Sequence, residues 1–137
     1  MVFCGIILRR LDTFGGVDLE KPLIGVVSSI EFYQSDIIMP NLERIYVNDD
    51  YVQAVEKAGG NPIILPVVSD TCNIERQVQM CDGMVFTGGC DINPRFFNGK
   101  SNAKSGFSYL RIDEFQIKVI KKALELDKPS LQEEHIR

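Results

Sequence analysis

This chain carries one histidine, no Cys-x-x-Cys pair and no run of lysine or arginine longer than two, and each shortage removes a class of function. The four cysteines, at positions 4, 72, 81 and 90, have no zinc-ligand spacing. They read as reduced thiols, mostly buried as small apolar side chains, with neither metal nor other cofactor expected. A net charge of −4 with no basic cluster argues against nucleic acid as a partner. No apolar stretch reaches the length of a membrane span, so no membrane partner is expected. Residues 1–8 are apolar, but the arginine pair Arg9-Arg10 follows them instead of preceding them, and no small-residue cleavage site comes after. Residues 1–20 are therefore expected to be a leader or non-native extension, and the chain to be cytoplasmic.

What is present is an ordered series of short apolar runs. Residues 22–28 read as a first strand buried on both faces, as a parallel sheet requires. Residues 29–47 then read as a long loop. A helix is expected from Asn48 as N-cap, with Asp49 and Asp50 at the positive end of its dipole. Tyr51, Val52, Val55 and Ala58 would share its inner face, and Gly59-Gly60 would end it. Residues 61–66 form a second strand with prolines at its ends only. A short helix over 70–81 would turn Ile74, Val78 and Cys81 inward. Residues 83–87 form the third strand, and a polar loop runs from 88 to about 109. A final helix over about 111–126 would bury Ile112, Phe115, Val119, Ala123 and Leu126 and leave Lys118, Lys121 and Lys122 outside, with Pro129 beyond it. This β-α-β-α-β-α order predicts an α/β fold: an open parallel sheet with helices on both faces and right-handed crossovers.

The stretch Asp82-Gly-Met-Val-Phe-Thr-Gly-Gly-Cys-Asp-Ile-Asn-Pro94 is the most informative. An apolar strand stops on Gly88 and Gly89, whose amides no side chain obstructs. Open α/β sheets place their ligands at such strand ends. With it come Lys21-Pro-Leu-Ile-Gly-Val26, Tyr51-Val-x-Ala-Val-x-x-Ala-Gly-Gly-x-Pro-x-x-Leu-Pro66, Asp113-Glu-Phe115 and Ala123-Leu-Glu-Leu-Asp-Lys-Pro129. In this order the set resembles the gamma-glutamyl-gamma-aminobutyrate hydrolase family, within the class I glutamine amidotransferase-like superfamily. The resemblance covers residues 21–129, a partial amidotransferase-like domain, with 130–137 expected as an irregular tail.

The resemblance implies a flavodoxin-like form of that sheet and a cysteine amidohydrolase acting on a small γ-glutamyl amide. A thiolate attacks the amide carbonyl, a histidine shuttles the proton and a glutamate orients the histidine. The nucleophile would sit in a Gly-Ile-Cys-Arg-Gly elbow directly after the Lys-Pro pair. Here Ser-Leu-Gln-Glu-Glu-His-Ile-Arg follows Lys128-Pro129, and none of the three catalytic residues has a matching position. The carry-over is confined to Gly88 and Gly89 as an oxyanion loop, with the Gly89 amide supplying half of the hole. The chain is thus expected to stop after about its third strand-helix unit, to be inactive alone and to self-associate through uncovered sheet edges.

Other residues invite a chemical reading and do not sustain it. Cys90 adjoins the glycines but lies on no strand-to-helix elbow, and reads as an inert loop cysteine. His135 reads as a solvated histidine in a polar tail. Asn98-Gly-Lys-Ser101 lacks both the first glycine of a phosphate loop, where Pro94 stands, and a leading strand. Arg111 and Asp113, at the start of a helix, read as capping or surface ion pairing. Phe96 and Phe97 either pack the loop down or line the site. Two rival functions stand beside the hydrolase: a non-catalytic interaction module, or one half of a split amidohydrolase. A receiver or nucleotide binder is disfavoured, since Ser28-Ser29-Ile30-Glu31 offers neither a phosphate-binding glycine loop nor an acidic cluster.

Overall fold

The computed structural model describes residues 21–33, 42–87 and 107–132. Their elements are, in chain order, β1 (Leu23–Val27), β2 (Ser29–Tyr33), β3 (Leu42–Tyr46), α1 (Asp49–Lys57), β4 (Asn61–Leu65), α2 (Thr71–Met80), β5 (Gly83–Phe86), α3 (Phe107–Glu125) and β6 (Ser130–Gln132). β1 pairs in parallel with β4 on one side and β5 on the other, and β5 pairs in parallel with β6. The order β4-β1-β5-β6 is the open parallel α/β sheet expected from the alternating pattern, in the flavodoxin-like form that the resemblance implies.

Strand alternation sorts the core. Ile24 and Val26 of β1 and Val85 of β5 face one side, against Val55 of α1 with Val47 and Tyr51 at its margin. Val27, Leu65, Met84 and Phe86 face the other, against Ile74 and Val78 of α2 and Ile112, Phe115, Val119 and Ala123 of α3. The period of two in the strands meets the 3.6 period of the helices, which is why these runs fold as one core. Asp70 caps α2 with its carboxylate, which accepts from the Asn73 amide at 3.0 Å. α1 begins after Asn48, whose side chain makes no capping bond, and ends where Gly59 takes φ 88°. That left-handed turn sends the Gly60 amide back to the Val55 carbonyl at 3.0 Å.

Four expectations are corrected. Residues 29–47 are not simply a loop: β2 and β3 pair antiparallel, Ser29 opposite Tyr46 through Tyr33 opposite Leu42. Ile30 of this hairpin is buried in the α2/α3 side of the core. Residues 130–132 are not irregular but form β6, with Met84, Val85 and Phe86 opposite Ser130, Leu131 and Gln132. Leu126 is 38% exposed, because the helix stops at Glu125 and Asp127 turns the chain with φ 52°. Lys122 is only partly outside: its side chain is partly buried, 19% exposed, while its ammonium reaches the exposed carboxylates of Glu125 at 3.1 Å and Glu75 at 3.8 Å. The hydrogen bond to Glu125, then the charge of Glu75, outweigh desolvation and raise its pKa.

Candidate functional site

The sheet changes direction between β1 and β5: the chain first moves outward to β4, then returns to the opposite side of β1 for β5. In such sheets the crevice beyond the strands' carboxyl ends at this point is the ligand position. Here hydroxyls tie that rim together. The Thr87 hydroxyl, buried at the end of β5, donates to the Val27 carbonyl of β1 at 2.9 Å. Ser28, fully buried, donates from its hydroxyl to the Leu65 carbonyl of β4 at 2.6 Å and from its amide to the same oxygen at 3.2 Å. The buried hydroxyls are themselves satisfied, each on a backbone carbonyl of the neighbouring strand. The three strand ends are thereby held as one rigid edge.

Two further elements close on this rim. The β2–β3 hairpin leaves directly from the carboxyl end of β1, and the first turns of α3 lie beside it. Arg111 of α3 donates to the Val67 carbonyl, just past β4, at 3.2 Å and forms an ion pair with Glu43 of β3 at 3.5 Å. Asp113, two residues further along α3, is buried. The opposite rim is closed differently. The Asp82 carboxylate accepts from the Leu23 amide at 2.8 Å, and the Asp82 amide donates back to the Leu23 carbonyl at 2.7 Å. Asp82 thus holds the start of β1, far from the carboxyl rim.

Of the residues singled out in the sequence, Arg111 and Asp113 are placed near the carboxyl rim. Gly88, Gly89, Cys90, Phe96, Phe97, Asn98, Gly99, Lys100, Ser101 and His135 lie outside the described residues, as do residues 1–20 and 133–137. Sequence reasoning missed the rim hydroxyls of Ser28 and Thr87 and the link from Arg111 to Glu43. The available signal was a hydroxyl residue directly after each of two apolar strands. Among the described residues, no three of His, Cys, Asp and Glu gather closely enough to hold a metal ion, and no helix is long and apolar enough to cross a membrane.

The two described cysteines are free thiols in contrasting settings. Cys81 is buried, and burial pushes its pKa up to about 11, with Lys128 lowering it and Asp82 raising it by their charges. A thiol held protonated in this way is no nucleophile at neutral pH. Cys72 is exposed on α2. A thiol-specific alkylating reagent with peptide mapping should therefore modify Cys72 in the native chain and reach Cys81 only after denaturation. The raised pKa also sets a sign: its stability contribution is complete below the unfolded value of about 9 and is lost as pH rises through about 11.

Comparison with known proteins agrees with this architecture. The family model for peptidase C26 matches residues 22–132. A glutamine amidotransferase-like protein of Rickettsia prowazekii is 37% identical over 113 residues, covering 82% of this chain and 40% of that protein. Another glutamine amidotransferase-like protein, from Lactococcus lactis, is 36% identical over 86 residues, 63% of this chain and 36% of its own length. The protein NtpR of Enterococcus hirae is 29% identical over 108 residues, 79% of this chain and 44% of its own length. The chain spans less than half the length of these relatives. With its parallel sheet, its rim at the β1/β5 switch point and a family match over most of its length, the chain belongs to the peptidase C26, glutamine amidotransferase-like family.

Proposed function

We propose that this chain supplies the sheet and the oxyanion loop of a cysteine amidohydrolase acting on γ-glutamyl amides such as gamma-glutamyl-gamma-aminobutyrate, and that it is inactive alone. One observation carries the reading: Thr87 is latched to Val27 at the switch point, and the chain continues from it into Gly88-Gly89. A backbone leaving the sheet there starts from a fixed origin, which preorganised amides need. Attack on an amide concentrates charge on one oxygen, and donors already in place stabilise it without reorganising. Family membership supports the reaction class. The nucleophile, base and orienting carboxylate would come from polypeptide outside this sequence.

The test is to assay the purified chain alone and after co-folding with a C-terminal polypeptide carrying the Gly-Ile-Cys-Arg-Gly elbow, histidine and glutamate. The expected result is no turnover of glutamine, gamma-glutamyl-gamma-aminobutyrate or gamma-glutamyl-putrescine by the chain alone, and turnover by the folded complex. A folded complex inert toward all three would refute the reading. Turnover by the chain alone that Cys90→Ala abolishes would refute the claim of inactivity and make Cys90 the nucleophile.

A second reading, one half of a split amidohydrolase, is favoured by β6. Among the described residues this three-residue strand is an outer member of the sheet, and all its residues are exposed, Leu131 by 47%. Unpaired edge strands accept another strand. Complementation by a naturally separate second chain would distinguish this arrangement from a single longer polypeptide.

A further inference from the structure

We propose that Arg111 and Glu43 together form the receptor for the α-amino-acid end of the substrate, the guanidinium taking the α-carboxylate and the Glu43 carboxylate the α-ammonium. The proposal rests on the γ-glutamyl reading above and adds the residues that would recognise that group. A γ-glutamyl substrate presents opposite charges on the two substituents of a single carbon, with the scissile amide three carbons further on. The carboxyl rim offers the complementary arrangement: a cation from α3 and an anion from β3, 3.5 Å apart.

The setting suits binding better than stabilisation. Both side chains are about half exposed, 47% for Arg111 and 49% for Glu43. A pair so exposed contributes only about 0–1 kcal/mol to folding. Arg111 is nevertheless oriented, because its Nη2 donates to the Val67 carbonyl at 3.2 Å while its Nη1 faces Glu43. A guanidinium has five donors in a fixed fork, so with Nη2 on Val67 and Nη1 toward Glu43 it still keeps N–H donors for a carboxylate. Glu43 sits on the hairpin that springs from the end of β1, and Arg111 on the helix that follows the Gly88-Gly89 loop. A ligand between them would bridge the hairpin and the helix beyond the carboxyl end of β4. Insertion exchanges one exposed ion pair for two charge-assisted contacts, each stronger than a neutral hydrogen bond.

The experiment is an NMR titration of the isotopically labelled full chain with three probes. L-Glutamine carries both α-groups, 4-carbamoylbutanoate lacks the ammonium and 4-aminobutanamide lacks the carboxylate. L-Glutamine should shift the Arg111 and Glu43 amides, and each analogue should bind roughly tenfold to hundredfold more weakly, the range for losing one charged hydrogen bond. Glu43→Gln should erase the preference for glutamine over 4-carbamoylbutanoate. Arg111→Lys should weaken the preference over 4-aminobutanamide. Unshifted amides in β5 certify that each variant is folded, and a purely structural pair would leave both preferences intact. No binding of L-glutamine, shifts confined to other regions, or full preferences in both folded variants would each overturn the inference. Turnover by the co-folded complex alongside such a result would leave the hydrolase reading standing.

Discussion

Replacing Gly89 by proline in the completed enzyme should lower kcat by roughly two to three orders of magnitude, the effect of losing one oxyanion-hole donor. Proline removes the backbone N–H that would face the developing oxyanion. Because that interaction exists chiefly in the transition state, KM should move much less than kcat. Gly89→Ala is the necessary companion, since alanine keeps the N–H and adds only a methyl group. Steady-state kinetics on gamma-glutamyl-gamma-aminobutyrate would separate the two. A large loss for proline with a small one for alanine would assign the effect to the amide. Equal losses would assign it to the shape of the loop and remove the oxyanion role. Thr87→Val bears on the same geometry from the other side. It deletes the hydroxyl that reaches the Val27 carbonyl and should lower kcat only in so far as the loop's origin shifts.

How far the sequence carried depended on the range of the interaction. α2 was legible because Ile74 and Val78 recur at helical spacing, and both are buried as expected, while the Asp70 cap that starts the helix emerges only with the structure. The strands β1, β4 and β5 were legible because continuous apolar runs bounded by turn residues suit a sheet covered on both faces. The hairpin was not. All five residues of β3 are exposed, so no buried face imprints an alternation on its sequence, and its pairing is made by backbone groups. β6 escaped for the same reason, being short, exposed and at an edge. Leu126 misled because a helical period read off the sequence runs on after the backbone has left the helix at Glu125.

The site divides along the same line. Gly88 and Gly89 announce themselves by residue type. The rim that would position them depends on partners far away in sequence: Ser28 reaches Leu65 across 37 residues, Thr87 reaches Val27 across 60, and Arg111 reaches Val67 across 44. None of these has a periodic or spacing signature. An ion pair such as Arg111 with Glu43 is equally invisible until the hairpin exists, because Glu43 stands in a stretch that reads as loop. Arg111 was legible as a charged residue at a helix start, but its partner Glu43 was not.

Gly25→Val should destabilise the chain by about 3 kcal/mol or more, at the upper end of what overpacking a core costs. Gly25 lies in the middle of the central strand, with Ile63 opposite on β4 and Met84 opposite on β5. A Cβ there would come within 2.8 Å of both the Cys81 Sγ and the Leu65 Cδ1, and within 3.2 Å of the Met84 Sδ. Leu65 and Met84 are flexible at those atoms, but Cys81 is short and sits on the turn that Asp82 ties to β1. Relief for alanine is therefore partial, and for valine the two added methyl groups have no space to enter. Gly25→Ala should cost less than valine, and Gly59→Ala, at φ 88° in the turn after α1, about 1–2 kcal/mol through backbone strain alone. Urea unfolding followed by circular dichroism would rank the three. Against a total stability that rarely exceeds about 15 kcal/mol, valine at position 25 should shift the midpoint most. If Gly25→Val proved as stable as the parent, Cys81 and Leu65 could not be packed against the central strand as described.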